Sequence, residues 1–126
     1  MKEVLKMEKT INIDGKDVKL ISSGATPIIY KNAFGRDFFA DLGQFLKIAE
    51  TANKSKKGQE MAALLPLFEN GDIAIMYNFV WVYAKNADMS LKPLDEWLAD
   101  FTEFPMFDFL GDVMELVMRS VTTKKA

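Results

Sequence analysis

Ile73-Ala74-Ile75-Met76-Tyr77-Asn78-Phe79-Val80-Trp81-Val82-Tyr83-Ala84 is the stretch on which the fold turns. Wound at about 100° per residue, it sends apolar side chains almost everywhere and leaves only the sector around Asn78 and Lys85 polar. A helix of that kind has to be wrapped by neighbours. It is shorter than the roughly 17 to 25 apolar residues a bilayer crossing requires, so it reads as a buried helix of a soluble domain, with no membrane as partner. Asn70, Gly71 and Asp72 are expected to start it, with an acidic side chain at the positive end of the helix. Lys85 to Asp88 closes it.

The rest of the composition fits a single domain around that helix. A chain of 126 residues, 49% hydrophobic and 27% charged, is long enough to bury a core and too apolar to stay unfolded. It contains no cysteine and no histidine. Disulfides, thiolate metal sites, imidazole bases and the usual zinc sites are therefore excluded, so no catalytic residue, metal or cofactor is expected. A net charge of −2 argues against a surface devoted to nucleic acid, which domains bind with excess positive charge. The start, Met1 to Lys9, mixes Lys2, Glu3, Lys6, Glu8 and Lys9 and lacks the apolar run of a signal peptide, which places the expected location in the cytoplasm.

On the N-terminal side of the central stretch, Thr10 to Ile13 and Lys16 to Ile21 alternate, and Asp14-Gly15 between them tolerates the positive φ of a tight turn. This predicts a β-hairpin, over about residues 9–22, that must pack on helices to be stable. Helices are then expected over about residues 27–121. Thr26-Pro27 reads as an N-cap followed by proline at the first helical position, opening a helix that Gly35 interrupts. Asp37 starts the next, in which Phe38, Phe39, Leu42, Phe45, Leu46 and Ala49 fall in a sector of roughly 120°. Asn53 to Gly58 is the most polar stretch and reads as a solvated loop rather than a lysine-based nucleic-acid contact. A short helix from Gln59 to Glu69, bent or ended by Pro66, leads into the central one.

On the C-terminal side, Pro93 opens a helical segment from Leu94 to Phe101, and Phe104-Pro105 restarts the chain into a last helix reaching about Val121, with a frayed tail at 122–126. Asp95, Glu96, Asp100, Glu103, Asp108, Asp112 and Glu115 are seven carboxylates in a span without a basic residue. Asp108, Asp112 and Glu115 share one helix face, but ligands on one straight helix do not encircle a cation, and a solvated acidic face with Arg119 paired to Glu115 is the simpler reading. The last helix also carries an apolar arc roughly 200° across. Phe107, Leu110, Met114, Val117, Met118 and Val121 fill one sector, and Phe109, Val113 and Leu116 an adjoining one. Either this helix lies in a deep groove of its own domain or part of the arc meets another protein. Met106, Phe107, Leu110, Met114, Val117 and Met118 are the candidates for partner contact, methionine being adaptable to varied surfaces. A face that wide can also pair with a second copy, which makes a homo-oligomer a further expectation.

Ser23-Gly24-Ala25-Thr26-Pro27-Ile28-Ile29-Tyr30, followed by Phe34-Gly35-Arg36-Asp37-Phe38-Phe39-Ala40-Asp41-Leu42, resembles the tail assembly chaperones of long-tailed phages of Gram-positive bacteria. The order of parts is similar too: a hairpin with Ile11-Asn12-Ile13-Asp14-Gly15-Lys16, a tryptophan-bearing middle helix, and the late acidic Asp95-Glu96-Trp97-Leu98-Ala99-Asp100-Phe101. The middle helix here is more aromatic than that family pattern.

The resemblance implies a non-enzymatic protein that binds the tape measure protein, with the tail tube protein as a further partner. It would hold the long apolar helical chain soluble in the host cytoplasm until tube subunits polymerise around it, and be absent from the mature virion. It further implies that Lys124-Lys125 lies where a frameshift makes a longer product, this chain being the short form. A small structural or regulatory interaction domain of a phage is the alternative. The expected fold is α+β: a mostly helical single domain with an N-terminal β-hairpin packed on four to six helices.

Overall fold

The computed structural model describes residues 7–68 and 74–122. In chain order the elements are β1 (Met7–Ile13), β2 (Lys16–Ser22), α1 (Thr26–Phe34), α2 (Phe38–Lys54), α3 (Glu60–Phe68), α4 (Ala74–Ala87), α5 (Leu94–Leu98) and α6 (Met106–Thr122). This is the expected small α+β domain, a hairpin against six helices. The helix start expected at Asn70 to Asp72, Ile73, the first six residues and the tail 123–126 lie outside the described residues.

β1 and β2 are antiparallel with Ile13 opposite Lys16, so the loop is the two residues Asp14-Gly15. Both take positive φ, 55° and 82°, the twist that suits a two-residue hairpin. Asn12 Oδ1 accepts the Gly15 N–H at 3.1 Å, and Asp14 Oδ2 accepts the Thr102 N–H at 2.8 Å, which ties the turn to the chain before α6. Alternation then buries Ile11, Ile13 and Leu20 and half-buries Val18. β2 lies against α4 and β1 against α6, supplying the helix support an isolated hairpin lacks.

α4 is the hub. From Ile75 to Ala84 every side chain except the half-buried Tyr77 is buried, and α4 touches β2, α1, α2, α5 and α6. Phe79, fully buried, stacks on Phe45 at 4.6 Å and Phe38 at 5.1 Å and meets Tyr30 at 5.3 Å. These contacts bind α1, α2 and α4 into one aromatic cluster. Trp81 and Trp97 are both core residues, with the Trp81 indole N–H donating to the Lys92 carbonyl at 2.8 Å. Asn78 differs from the expected polar edge: it is buried, with its Nδ2 3.4 Å from the Tyr30 hydroxyl. Lys85 closes the helix by donating to the carbonyls of Met89 and Leu91.

Three local expectations are corrected. Thr26 lies inside the first turn of α1 rather than capping it; Ala25 occupies the cap position, and the buried Thr26 hydroxyl accepts from the Ser23 N–H at 3.0 Å. α2 is rotated relative to the expected apolar sector, burying Phe38, Asp41, Phe45, Ile48, Ala49 and Ala52 and leaving Phe39 61% exposed. Asp41 faces inward there, its charge met by Arg36. α5 stops at Leu98, so Phe101 lies beyond it, packed edge-on against Trp97 at 5.3 Å. Gly35, at φ 68°, ends α1 as expected, and the Asp37 carboxylate accepts the Ala40 N–H at 2.8 Å to start α2.

Candidate partner-binding face

α6 presents its candidates to two different environments. Met106, Leu110 and Val117 are buried at 6%, 3% and 0% exposure, alongside Phe109, Val113 and Leu116, so these six belong to the domain's own core. Phe107 and Met114 are half-buried, and Met118 is 39% exposed. Since 107, 114 and 118 are related by near-whole helical turns, these three form one stripe along the edge of the core, with Phe107 and Met114 packed against it.

Phe107 and Met114 of that stripe border two clefts. One, of about 460 Å³, lies between the end of α2, the start of α3 and α6, and is lined by Ala52, Lys57, Glu60, Phe107, Asp108 and Met114 among others. The second, of about 270 Å³, lies between α3, α4 and the start of α6, with Met61, Tyr77, Phe104 and Met106 in its walls. Phe107 and Asp108 line both, so the clefts join into one groove. α3 adds an apolar stripe of its own: Leu64 points into the core while Met61 and Leu65 are 47% and 55% exposed. Met61, Tyr77 and Phe104 were not candidates from sequence. For Met61 the signal was the apolar character of α3, an element too short and too near the surface to bury all of it; Tyr77 on α4 and Phe104 before α6 carried no such signal.

The acidic face of α6 is ion-paired to a strand. Lys9 Nζ lies 2.8 Å from Glu115 and 3.7 Å from Asp112, clasping α6 to β1. The hydrogen bond between Glu115 and Lys9 holds the carboxyl below and the ammonium above their ordinary values. Among the described residues, no group of three or more acidic side chains is placed to hold a metal ion. Asp100 is engaged by Lys92 at 2.9 Å. Lys16 donates to the Asp100 carbonyl and rests over the Phe101 ring, so the lysines bordering the cleft of about 630 Å³ between the hairpin and α5 are largely occupied.

Two polar networks inside the domain position these elements. Arg36 grips Asp41 through two bonds, Nε to Oδ2 at 2.6 Å and Nη2 to Oδ1 at 2.8 Å, and the Tyr30 hydroxyl donates to the same Oδ2 at 2.6 Å. Burial pushes the Asp41 carboxyl up, but the hydrogen bonds from Arg36 and Tyr30 and the Arg36 charge outweigh it and hold the group below its ordinary value. Burial, and then the bond donated to Asp41, keep the Tyr30 phenol well above its usual range. Asn86 on α4 donates to the Ile21 carbonyl and the hydroxyls of Ser23 and Thr26 at 2.9, 3.0 and 3.1 Å, fastening the end of β2 and the start of α1. Both networks serve the scaffold. Among the described residues no helix is long and apolar enough to cross a membrane. Comparison with family models, curated proteins and solved structures gives no match.

Proposed function

We propose that this chain is a non-enzymatic tail assembly chaperone of a long-tailed phage, binding the tape measure protein in the host cytoplasm and keeping it soluble until the tail tube closes around it. The observation that carries the reading is the apolar side chains at the rim of the core: Phe107 and Met114 on α6, half-buried and lining a groove whose other wall includes Met61 on α3. A holdase needs adaptable apolar surface with charge around it for solubility, and no nucleophile, metal or cofactor. Methionine suits that task because its unbranched, polarisable side chain fits irregular helical partners. The family-like segments 23–30 and 34–42 do not form this face. They build the Tyr30, Arg36 and Asp41 scaffold behind it.

The test is co-expression with the tape measure protein encoded beside this chain, followed by affinity purification. Soluble co-purification is expected, and it should be lost in Met114→Asp with Met118→Asp, with circular dichroism of the variant separating loss of binding from loss of fold. A folded wild type that does not raise the solubility of the tape measure protein refutes the proposal. Recovery of this chain in stoichiometric amount from purified virions would favour a structural subunit instead.

A further inference from the structure

Charge accounting around the groove identifies what it takes. Of the seven carboxylates from Asp95 to Glu115, Asp100 is paired with Lys92, and Asp112 and Glu115 with Lys9. Asp95, Glu96, Glu103 and Asp108 have no ion pair among the described residues. Asp108 lines both clefts, in the turn beside Phe107, and Glu60 lines the far wall of the larger cleft, where Lys57 is the one cation among the lining residues. The two clefts adjoin at Phe107 and Asp108 and are open rather than closed: the smaller is walled mainly by apolar side chains, the larger sets Phe107 and Met114 beside polar residues, and Asp108 and Glu60 stand on its opposite walls.

Resting on the reading above, we infer that the groove between α3 and α6 docks an amphipathic helix whose apolar stripe is flanked by lysine or arginine. The apolar stripe meets Met61, Phe107 and Met114, and the flanking cations meet Asp108 and Glu60, carboxylates that the domain itself leaves without a cation. An apolar trough recognises almost any amphipathic helix, whereas unpaired carboxylates on its banks repel acidic flanks and favour basic ones, so charge supplies the selectivity. A second copy of this chain fits less well: the helix that would bring its Phe107 and Met114 into the groove carries Asp108 beside them, without a cation, and would set acid against acid.

The probe is a pair of fluorescein-labelled model helices of about 18 residues, five turns, with one Leu/Ala stripe and either Lys or Glu flanks. Anisotropy titration should give the Lys-flanked peptide at least about tenfold tighter binding at low salt, a preference that fades as salt screens it. Asp108→Lys with Glu60→Lys, both outside the hydrophobic core, should abolish or invert the preference. Asp95→Lys with Glu96→Lys, on α5 away from the lining residues, should leave it in place. Equal affinity for the two peptides, binding of neither, or a preference that survives reversal at Asp108 and Glu60 overturns the inference. So does sedimentation showing a wild-type dimer that Phe107→Asp separates, since a second copy then fills the trough. Tape measure protein that co-purifies undiminished with the reversed variant removes the groove and leaves the chaperone reading. Peptide discrimination without tape measure binding does the opposite.

Discussion

Replacing Arg36 with leucine tests whether the Asp41 network is what turns α2 into the core. Asp41 is only 5% exposed, yet it is gripped by a guanidinium whose side chain is 46% exposed. Breaking a fully buried ion pair from one side costs about 3–5 kcal/mol, and a solvent-exposed pair is worth about 1 kcal/mol or less. The geometry lies between these limits, since Asp41 keeps the Tyr30 hydroxyl as a donor after Arg36 is gone, and we expect a loss of about 2 kcal/mol at pH 7. For a domain of this size that is a fall in Tm of about 6–8 °C. The loss should also depend on pH. In the wild type the folded Asp41 carboxyl lies below its ordinary value, so its contribution is complete above the unfolded carboxylate range and disappears as pH falls through the folded value. Without Arg36, burial is opposed by Tyr30 alone, the folded carboxyl rises, and the variant gains a proton, and relative stability, at a higher pH than the wild type. Urea unfolding at pH 7 and again near or below the ordinary carboxylate value should therefore show the gap between the two proteins closing as the solution becomes acidic. A gap that is absent at pH 7, or that stays constant into acid, refutes the reasoning.

Three other outcomes follow from the same contacts. Phe79→Ala removes the ring shared by Phe45, Phe38 and Tyr30 and should cost about 4 kcal/mol in chemical denaturation, enough to leave a marginal protein partly unfolded at 37 °C. Asn86→Ala leaves the Ile21 carbonyl and the Ser23 and Thr26 hydroxyls without their shared donor; about 1–2 kcal/mol of stability should be lost, with faster amide exchange at the end of β2 and the start of α1. Lys9→Ala, by contrast, breaks a clasp whose acidic ends are half-exposed, and its urea midpoint should be indistinguishable from that of the wild type.

The elements of this fold are legible in the chain because each is specified locally. Asp14-Gly15 is a two-residue turn by its own φ preferences, Gly35 and Asp37 divide α1 from α2 through left-handed and capping geometry, and the near-uniform apolarity of 74–84 leaves a central position as the only stable one. What sequence did not disclose depends on pairs distant in the chain or on burial of a charge. Periodicity puts Phe39 in the apolar sector, whereas the structure exposes it and buries Asp41, whose carboxylate Arg36 and Tyr30 satisfy inside. The same holds for Asn78, an apparent polar edge that is turned inward towards the Tyr30 hydroxyl. A polar residue inside a helix reads as surface until the partner that satisfies it is known, and Asn78 has its partner 48 residues away.

The α6 arc shows where periodicity stops being informative about a site. A span of about 200° records only that those side chains avoid water, and the domain's own elements and an external helix satisfy that equally well. The structure divides it: contacts with β1, β2, α2 and α4 account for Met106, Phe109, Leu110, Val113, Leu116 and Val117. Phe107 and Met114 are half-buried at the edge of the core and Met118 is 39% exposed, too few to bind by area alone. On the proposed docking, affinity comes from a small number of well-seated contacts, and discrimination from the carboxylates without a cation beside them. A single aspartate at Met114 should therefore affect binding far more than stability, whereas one at Leu110, equally apolar and four residues earlier on the same helix, should unfold the domain. If the two substitutions behave alike, the boundary drawn between core and docking face is in the wrong place.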